Sequence, residues 1–278
     1  MMPDDAGRMT NLVGEYELPG EAVGLRRVLS QDFLADVREF SEKWDREWIR
    51  YFYLHDDNSY FHSYGSSAYR LPLPPEEIAT FTAHESLTRR IDPEWMHTKL
   101  QIFLPGDALV DKDVFEIGCG VGMLGRLLGS VARSYTGYDY SPLALQIARL
   151  TSPARCRYIH AGETQRVAQL YNSADTCFGR HFFIHNNFEN AMWVLRMLRD
   201  VVRDDGRIQA DFFNADGPSD RIFPSKSSLV PGIASCGFFY TDDEIYELAE
   251  VCDLEVEAIH RVESPPRVFT DFRRRTRR

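Results

Sequence analysis

The sequence predicts an α/β protein with a mainly parallel β-sheet that is covered by helices on both faces. Residues 113–117 form a short apolar run that is typical of a buried strand. Three alternating glycines, Gly118, Gly120 and Gly122, follow it and favour a tight strand-to-helix turn that a ligand can approach closely. From residue 106 onwards, strand-like runs alternate with helix-like runs, as expected for successive βα units.

Each element of this α/β part has its own signal in the sequence. Strands are expected at residues 113–117, 135–139, 157–161, 175–179, 207–213, 254–261 and 267–273. Helices are expected at residues 123–131, after Ser141-Pro142, at 189–202 and after the capping box Thr241–Glu244, with a turn at 204–206. Residues 214–237 are longer than an ordinary loop, and we interpret them as an insertion with a function.

Residues 1–105 are predicted to form a separate N-terminal helical cap, or lid, in front of a domain at 106–278. Apolar residues between 33 and 52 fall on one helical stripe, which predicts a helix packed on the core. A polar and aromatic loop follows at 54–67. Loops of this composition often carry function, so its His55, Tyr60, His62 and Tyr64 are candidate substrate-binding residues.

The glycine turn fits two classes of ligand. Gly120-x-Gly122-x-x-Gly125 matches the dinucleotide fingerprint G-x-G-x-x-G, which keeps an NAD(P)-binding oxidoreductase open as an alternative. That fingerprint should begin directly after the strand, and here the first glycine is Gly118. Glu116 would also bring a second anion close to a pyrophosphate. The turn therefore favours a cationic ligand.

Residues 116–122, with the sequence EIGCGVG, resemble the first motif of class I S-adenosylmethionine-dependent methyltransferases. Asp139, at the end of the second strand, can accept hydrogen bonds from both hydroxyls of a ribose. The resemblance covers about residues 107–274. It implies a Rossmann-like sheet of seven strands with the last one antiparallel, S-adenosylmethionine as the cofactor, and an N-terminal addition that closes over the substrate.

The resemblance also implies a set of cofactor-binding residues at the ends of the strands. Glu163 lies where the family often has an acidic or amide side chain near the adenine, but it is one carbon longer than the common Asp. The expected cofactor-binding residues are Glu116, Gly118, Cys119, Gly120, Gly122, Asp139, Tyr140, Gly162, Glu163 and Gly179.

His181, just after the fourth strand, is the candidate catalytic residue. Methyl transfer from a sulfonium is an in-line displacement, so the protein mainly supplies alignment and a deprotonated acceptor. A histidine can take up that proton near neutral pH, although His181 can also serve only for packing. Phe182 and His185 are candidate substrate-binding residues. His181 and His185 are four residues apart, but no carboxylate completes a metal site, so no metal is expected.

Composition points to a small-molecule substrate rather than nucleic acid. The formal net charge is −10, which opposes phosphate binding, and the signatures of base methyltransferases are absent after the fourth strand. The Arg-rich residues 273–278 are interpreted as a solvated end, with an anionic partner as the alternative. The sequence leaves the oligomeric state open, a homodimer included.

A cytoplasmic location is expected. The sequence contains neither an apolar run long enough to span a membrane nor a leader segment. Its five cysteines are scattered, which is typical of a reduced protein.

The function predicted from the sequence is methyl transfer from S-adenosylmethionine to an O or N atom of a small molecule, such as a secondary metabolite. One alternative is an enzyme of the same fold that catalyses a cyclisation or rearrangement without transferring methyl. The others are the oxidoreductase above and a cofactor-binding subunit without catalytic activity.

Overall fold

The computed structural model describes residues 37–54, 104, 108–129, 131–215, 238–263 and 266–275. Within these ranges the chain forms one mixed sheet with helices on both faces. The strands are β1 (Asp113–Ile117), β2 (Ser134–Asp139), β3 (Cys156–His160), β4 (Ala174–Gly179), β5 (Val202–Asn214), β6 (Phe239–Tyr240), β7 (Leu254–Glu263) and β8 (Pro266–Arg274). The helices are α1 (Val37–Leu54), α2 (Met123–Leu128), α3 (Pro142–Thr151), α4 (Thr164–Ala168), α5 (Phe188–Val201) and α6 (Asp242–Val251), with a 3-10 turn at Phe183–His185.

The sheet has the strand order β3-β2-β1-β4-β5-β8-β7, and β6 pairs with β5. Strands β1 to β5 pair in parallel, whereas β8 is antiparallel to both β5 and β7. The predicted α/β sheet with an antiparallel last strand is confirmed. From β1 the chain continues through β2 to β3 towards one end of the sheet, and from β4 it continues to β5 towards the other end. In such sheets a crevice forms at the point of reversal, outside the carboxyl ends of β1 and β4. We call the edge where β1 to β5 end the carboxyl edge.

The two faces of the sheet carry separate cores because side chains alternate along each strand. On one face, Val114 and Phe178 pack with residues of α2 and α3. On the other face, Phe115 and Cys177 pack with α4, α5 and α6. Every strand of the parallel part is therefore covered on both sides, as its continuous apolar runs predicted.

Helix α1 contacts both cores. Phe40 and Trp44 pack against the α5 side, and Trp48 packs against the α2 side. A single straight helix reaches both faces of a sheet only by crossing one of its edges, and here it crosses the carboxyl edge. The predicted stripe therefore does pack on the core, but from across the end of the sheet. The loop at 54–67 and most of the rest of the predicted cap lie outside the described residues, apart from Leu54 and Leu104.

One prediction about β5 needs correction, and one short strand was missed. The turn expected at 204–206 lies inside Val202–Asn214 as an irregularity in the pairing, because Ala174 pairs with Val202 while Thr176 pairs with Arg207. The short strand β6 was not predicted, since two residues leave too little pattern to read. Most of the predicted insertion at 214–237 lies outside the described residues.

Helix α4 was not predicted either, and the other differences concern the ends of elements. Helix α2 ends at Leu128 instead of residue 131, with the N–H of Gly129 bonded to the carbonyl of Gly125. The predicted caps are confirmed, because Ser141 accepts from the N–H of Ala144 and Thr241 with Glu244 forms the capping box. None of the helices in the described part combines the length and the apolar character that crossing a membrane requires.

Candidate cofactor and active site

The glycine turn after β1 adopts a conformation that side chains oppose. Gly118, Gly120 and Gly122 have φ angles of 71°, 51° and 75°, in the left-handed region that glycine occupies without a steric penalty. The space around the turn is also occupied. A Cβ at Gly118 would come within 2.5 Å of Phe182, and a Cβ at Gly120 within 2.7 Å of Trp48. The turn therefore lies directly beneath two aromatic side chains.

Asp139, at the end of β2, joins the glycine turn to helix α3. Its buried carboxylate accepts the N–H of Gly120 at 2.8 Å through Oδ2 and the N–H of Ser141 at 2.8 Å through Oδ1. Burial raises the pKa of Asp139, and the N–H groups of Ser141 and Gly120 oppose that rise. Each carboxylate oxygen has a further lone pair, so the pair of oxygens can still accept hydrogen bonds from a diol.

Glu116 is buried on the α2 side of β1, where it accepts a hydrogen bond from the Tyr135 hydroxyl. Burial raises its pKa to about 7, against the opposing effects of the Tyr135 hydrogen bond and the positive charge of Arg180. The carboxyl group therefore changes protonation near neutral pH. The position of Glu116 next to the glycine turn agrees with the sequence prediction. Because this carboxyl group is partly protonated near neutral pH, it carries less negative charge than the motif suggests.

The end of β3 holds Gly162 and Glu163 close to helix α1. His160 accepts the N–H of Gly162 at Nδ1, 3.2 Å away, so its Nε2 carries the proton and donates to the carbonyl of Tyr140 at 2.9 Å. Ser41 of α1 lies 3.0 Å from the same Nε2. Glu163 accepts the N–H of His160 at 2.8 Å and pairs with Arg166 at 2.5 Å. The carboxylate of Glu163 is thus held by His160 and Arg166, and a contact with adenine stays a prediction.

Residues 180–187, which we call the β4 loop, carry the candidate base. His181 has a φ of 56°, and its N–H donates to Oδ2 of Asp211 at 2.7 Å. Its ring contacts the guanidinium of Arg267. Burial, together with the positive charges of Arg267, Arg180 and His185, places the pKa of His181 well below its usual range. The imidazole is therefore neutral at physiological pH.

Aromatic side chains from three elements meet above the crevice. Phe182 and Tyr140 have nearly parallel rings, with centroids 6.4 Å apart and an interplanar angle of 4°. Trp44 meets the His185 ring edge-on at 5.0 Å, and Phe40 lies 5.4 Å from Tyr140. The structure thus brings Phe182 and His185 to the same side of the sheet as the glycine turn. The other predicted substrate-binding residues, His55, Tyr60, His62 and Tyr64, lie outside the described residues.

Helix α1 is tied to this edge by a carboxylate that the sequence did not single out. Asp45 accepts the hydroxyl of Ser141 at 2.5 Å and the N–H of Leu143 at 3.1 Å. Both donors belong to the start of helix α3, whose free N–H groups attract a negative charge. No signal in the sequence singles out Asp45, because Glu47 also stands between Trp44 and Trp48.

Cys119 and Gly179 complete the set of predicted cofactor-binding residues. Cys119 is buried inside the turn, and its N–H donates to the carbonyl of Tyr138 at 3.2 Å. Gly179 ends β4, where a Cβ would meet Ile117 at 2.8 Å. Within the described ranges, no three His, Cys, Asp or Glu side chains are grouped so that they could hold a metal ion.

Comparison with known proteins identifies the domain. A family model for a methyltransferase domain matches residues 115–210, which run from β1 through the glycine turn and Asp139 into β5. Residues 115–210 therefore form a methyltransferase domain of the class I S-adenosylmethionine-dependent type. The predicted family, enzyme class and cofactor are confirmed. No curated protein sequence matches this methyltransferase.

Solved structures show the same fold at low sequence identity. The methyltransferase is similar to Burkholderia thailandensis 1,6-didemethyltoxoflavin-N1-methyltransferase, with 16% identity, 86% of this chain and 90% of that chain covered, and a TM-score of 0.51. It is also similar to an S-adenosylmethionine-dependent methyltransferase from Mesorhizobium loti, with 15% identity, coverage of 66% and 100%, and a TM-score of 0.50.

The raised pKa of Glu116 predicts a pH-dependent contribution to stability. The folded protein holds this proton more tightly than the unfolded chain, so the stabilisation is present below pH 4.5 and is lost as pH rises through about 7. Glu116→Gln removes the titration. Between pH 5 and 8, the free energy of unfolding of the variant should improve by about 2 to 3 kcal/mol relative to the unsubstituted protein.

Urea unfolding of both proteins at the two pH values measures this difference. Glu255→Gln, at an exposed position of β7, is the matched control and should show no such change. If the unfolding free energies of the Glu116→Gln variant and the unsubstituted protein run parallel with pH, Glu116 is already ionised in the folded state.

Proposed function

We propose that this methyltransferase transfers a methyl group from S-adenosylmethionine to an O or N atom of a small molecule that binds beneath helix α1. The observation that carries the proposal is the arrangement at the carboxyl edge. There the glycine turn and Asp139 lie on one side of the crevice, and Phe182, Tyr140 and Trp44 cover it from above.

The residues at the edge fit the cofactor in their hydrogen-bonding capacity. Asp139 has acceptor capacity left for the ribose hydroxyls, and Phe182 and Trp48, which lie against Gly118 and Gly120, would move aside for a ligand that contacts the glycine turn. Tyr140 follows Asp139 and would contribute its ring to the adenine side. When bound, S-adenosylmethionine supplies a methyl group already activated on a sulfonium. Cys119, Gly162, Glu163 and Gly179 would line the remaining parts of the same crevice.

The chain's own contribution to the reaction is alignment and the handling of one proton. Aromatic faces attract cations, so Phe182 and Tyr140 would stabilise a positively charged ligand by cation–π contact and exclude water from it. His181 stays neutral because of the charges around it, so its ring is available as a hydrogen-bond acceptor for the O–H or N–H of the substrate. A neutral histidine of low basicity positions the acceptor well but takes up a full proton reluctantly.

Charge and cysteine chemistry support the rest of the proposal. A net charge of −10 opposes binding to nucleic acid, which supports a small-molecule substrate. The cysteines that the structure describes, Cys119, Cys156, Cys177 and Cys252, are all free thiols, in keeping with a reducing cytoplasm. The similar Burkholderia enzyme was crystallised with 1,6-didemethyltoxoflavin and S-adenosylhomocysteine, so this fold accommodates a small ligand next to the cofactor product.

The first prediction of this proposal concerns Asp139. Asp139→Ala removes a buried carboxylate that would accept the ribose hydroxyls and that also orients Gly120. The affinity for S-adenosylhomocysteine should fall by about 1.5 to 3 kcal/mol, or roughly 10- to 150-fold in Kd, by titration calorimetry. Asp243→Ala, at an exposed position of helix α6, is the control. Equal affinity of the Asp139→Ala and Asp243→Ala variants would place the ribose elsewhere.

A second prediction separates methyl transfer from the two alternative reactions. S-adenosylhomocysteine should raise the melting temperature, while NAD and NADP should leave it unchanged, because only a ligand of the folded state stabilises it. With methyl-labelled S-adenosylmethionine, label should appear in a product from a panel of phenols, carboxylic acids and amines. Turnover without transferred label would instead identify a cyclisation or rearrangement, and a response to NADP alone would reinstate the oxidoreductase.

A third prediction concerns His181. His181→Gln keeps a polar side chain but loses the ring nitrogen that would accept the O–H or N–H of the substrate and share its proton in the transition state, so turnover should fall by at least about 100-fold while cofactor affinity is retained. His260→Gln is the matched control, since His260 lies on β7 and pairs with Asp271 at 3.0 Å. Full activity of the His181→Gln variant would show that alignment alone suffices and that His181 has a packing role.

A further inference from the structure

The β4 loop rests on a buried ion pair between Arg267 and Asp211. Both side chains are almost fully enclosed, with exposures of 1% and 0%, and the guanidinium contacts the carboxylate directly. Arg267 lies near the start of β8 and Asp211 in the last part of β5, and the two strands are antiparallel neighbours. Burying a charge pair is costly unless its remaining hydrogen-bonding groups are also used. The other contacts of Asp211 and Arg267 therefore indicate the role of this ion pair.

Asp211 holds the backbone of the β4 loop. Its carboxylate accepts the N–H of His181 at 2.7 Å and the N–H of Phe182 at 3.3 Å. His181 has a φ of 56°, which a residue with a Cβ adopts rarely and keeps only when its surroundings hold it there. Two adjacent N–H groups that converge on one carboxylate provide that restraint.

Arg267 holds the ring of His181. One guanidinium nitrogen, Nη1, lies 3.2 Å from Nδ1 and 3.2 Å from Nε2 of the imidazole. A position in the ring plane at equal distance from both nitrogens would collide with Cε1, which lies between them. Nη1 therefore lies over the face of the ring. The same guanidinium lies 4.9 Å from the centre of the Phe269 ring, so aromatic faces contact it from two residues.

We propose that Asp211 and Arg267 are positioning residues for His181: Asp211 fixes its backbone and Arg267 its ring, so that a neutral imidazole faces the methyl acceptor. This inference rests on the proposed function for its catalytic meaning. Its structural content, the fixed and uncharged state of His181, can be measured without any substrate.

The charges around His181 favour the neutral state from each side. Arg267 approaches from β8, and Arg180 and His185 lie in the β4 loop itself. Asp211, from β5, is the facing carboxylate, and it is neutralised by Arg267. Cation–π attraction to a neutral ring turns into repulsion when the ring is protonated. The pKa of His181 is accordingly lowered, with burial as the largest cause and Arg267 as the next.

The test follows the ring of His181 by NMR. The Cε1–Hε1 signal of His181 is assigned by its absence in His181→Gln and titrated in the unsubstituted protein and in the double variant Arg267→Gln/Asp211→Asn. The double variant removes both charges together, because removing one partner would leave a buried charge and destabilise the fold. We expect a titration midpoint well below the usual value of about 6.5 in the unsubstituted protein. In the double variant it should rise by about one pH unit or more towards that value.

Two further variants separate position from general damage. Arg273→Gln changes another arginine of β8, which pairs with Glu257 at 2.5 Å, and should leave the midpoint of His181 unchanged. Arg267→Lys keeps the positive charge but loses the planar group, so the midpoint should stay low while kcat falls and the KM for S-adenosylmethionine is retained. In the double variant, the acidic limb of the kcat profile should move to higher pH together with the NMR midpoint.

An equal midpoint in the unsubstituted protein and the double variant would overturn the inference, and so would an equal shift in Arg273→Gln. If no methyl transfer is found at all, the proposed function fails, and the NMR titration still decides whether Arg267 and Asp211 control the ring. A shifted midpoint with an unshifted kcat profile would likewise overturn the catalytic role and leave a structural one.

Discussion

The carboxylate of Asp139 is the contact on which the geometry of the site depends. It ends β2, accepts the N–H of Gly120 from the turn after β1, and accepts the N–H of Ser141 at the start of α3. Three segments that converge only at the carboxyl edge are thereby fixed against one another. A turn with three glycines in the left-handed region is flexible by itself, because glycine can adopt more backbone conformations than any other residue and loses that freedom on folding. The buried carboxylate supplies the missing restraint.

Helix α1 is connected to the carboxylate of Asp139 through Ser141. Ser141, whose N–H is held by Asp139, turns its hydroxyl to Asp45, and Trp48 covers Gly120. A ligand that interacts with Asp139 therefore acts on a side chain that is two hydrogen bonds away from the cap helix. If the cofactor binds at Asp139, as we propose, its binding would be coupled to the position of α1 through Ser141.

The sequence predicted the parts of the fold and site that depend on local rules. The strand before Gly118, the cap at Ser141, the capping box at Thr241 and the position of Asp139 each follow from neighbouring residues. The Arg267–Asp211 pair could not be predicted, because 56 residues separate its members and antiparallel pairing of β5 with β8 brings them together. Trp44 and Trp48 were visible as a stripe, but a helical stripe does not reveal which surface it will cover.

Three buried carboxyl groups at the carboxyl edge have different surroundings, and these surroundings compensate their burial to different degrees. Asp211 faces a guanidinium, with which it forms a buried ion pair. Asp139 faces backbone N–H groups, which offset part of its burial. Burial raises the pKa of Glu116 to about 7, because among the described residues the hydroxyl of Tyr135 and the charge of Arg180 compensate it less fully. A positively charged cofactor beside Glu116 would favour its ionised form. Binding at the edge would then release a proton near neutral pH, so the strength of cofactor binding would rise with pH through the same range in which the free protein loses stability.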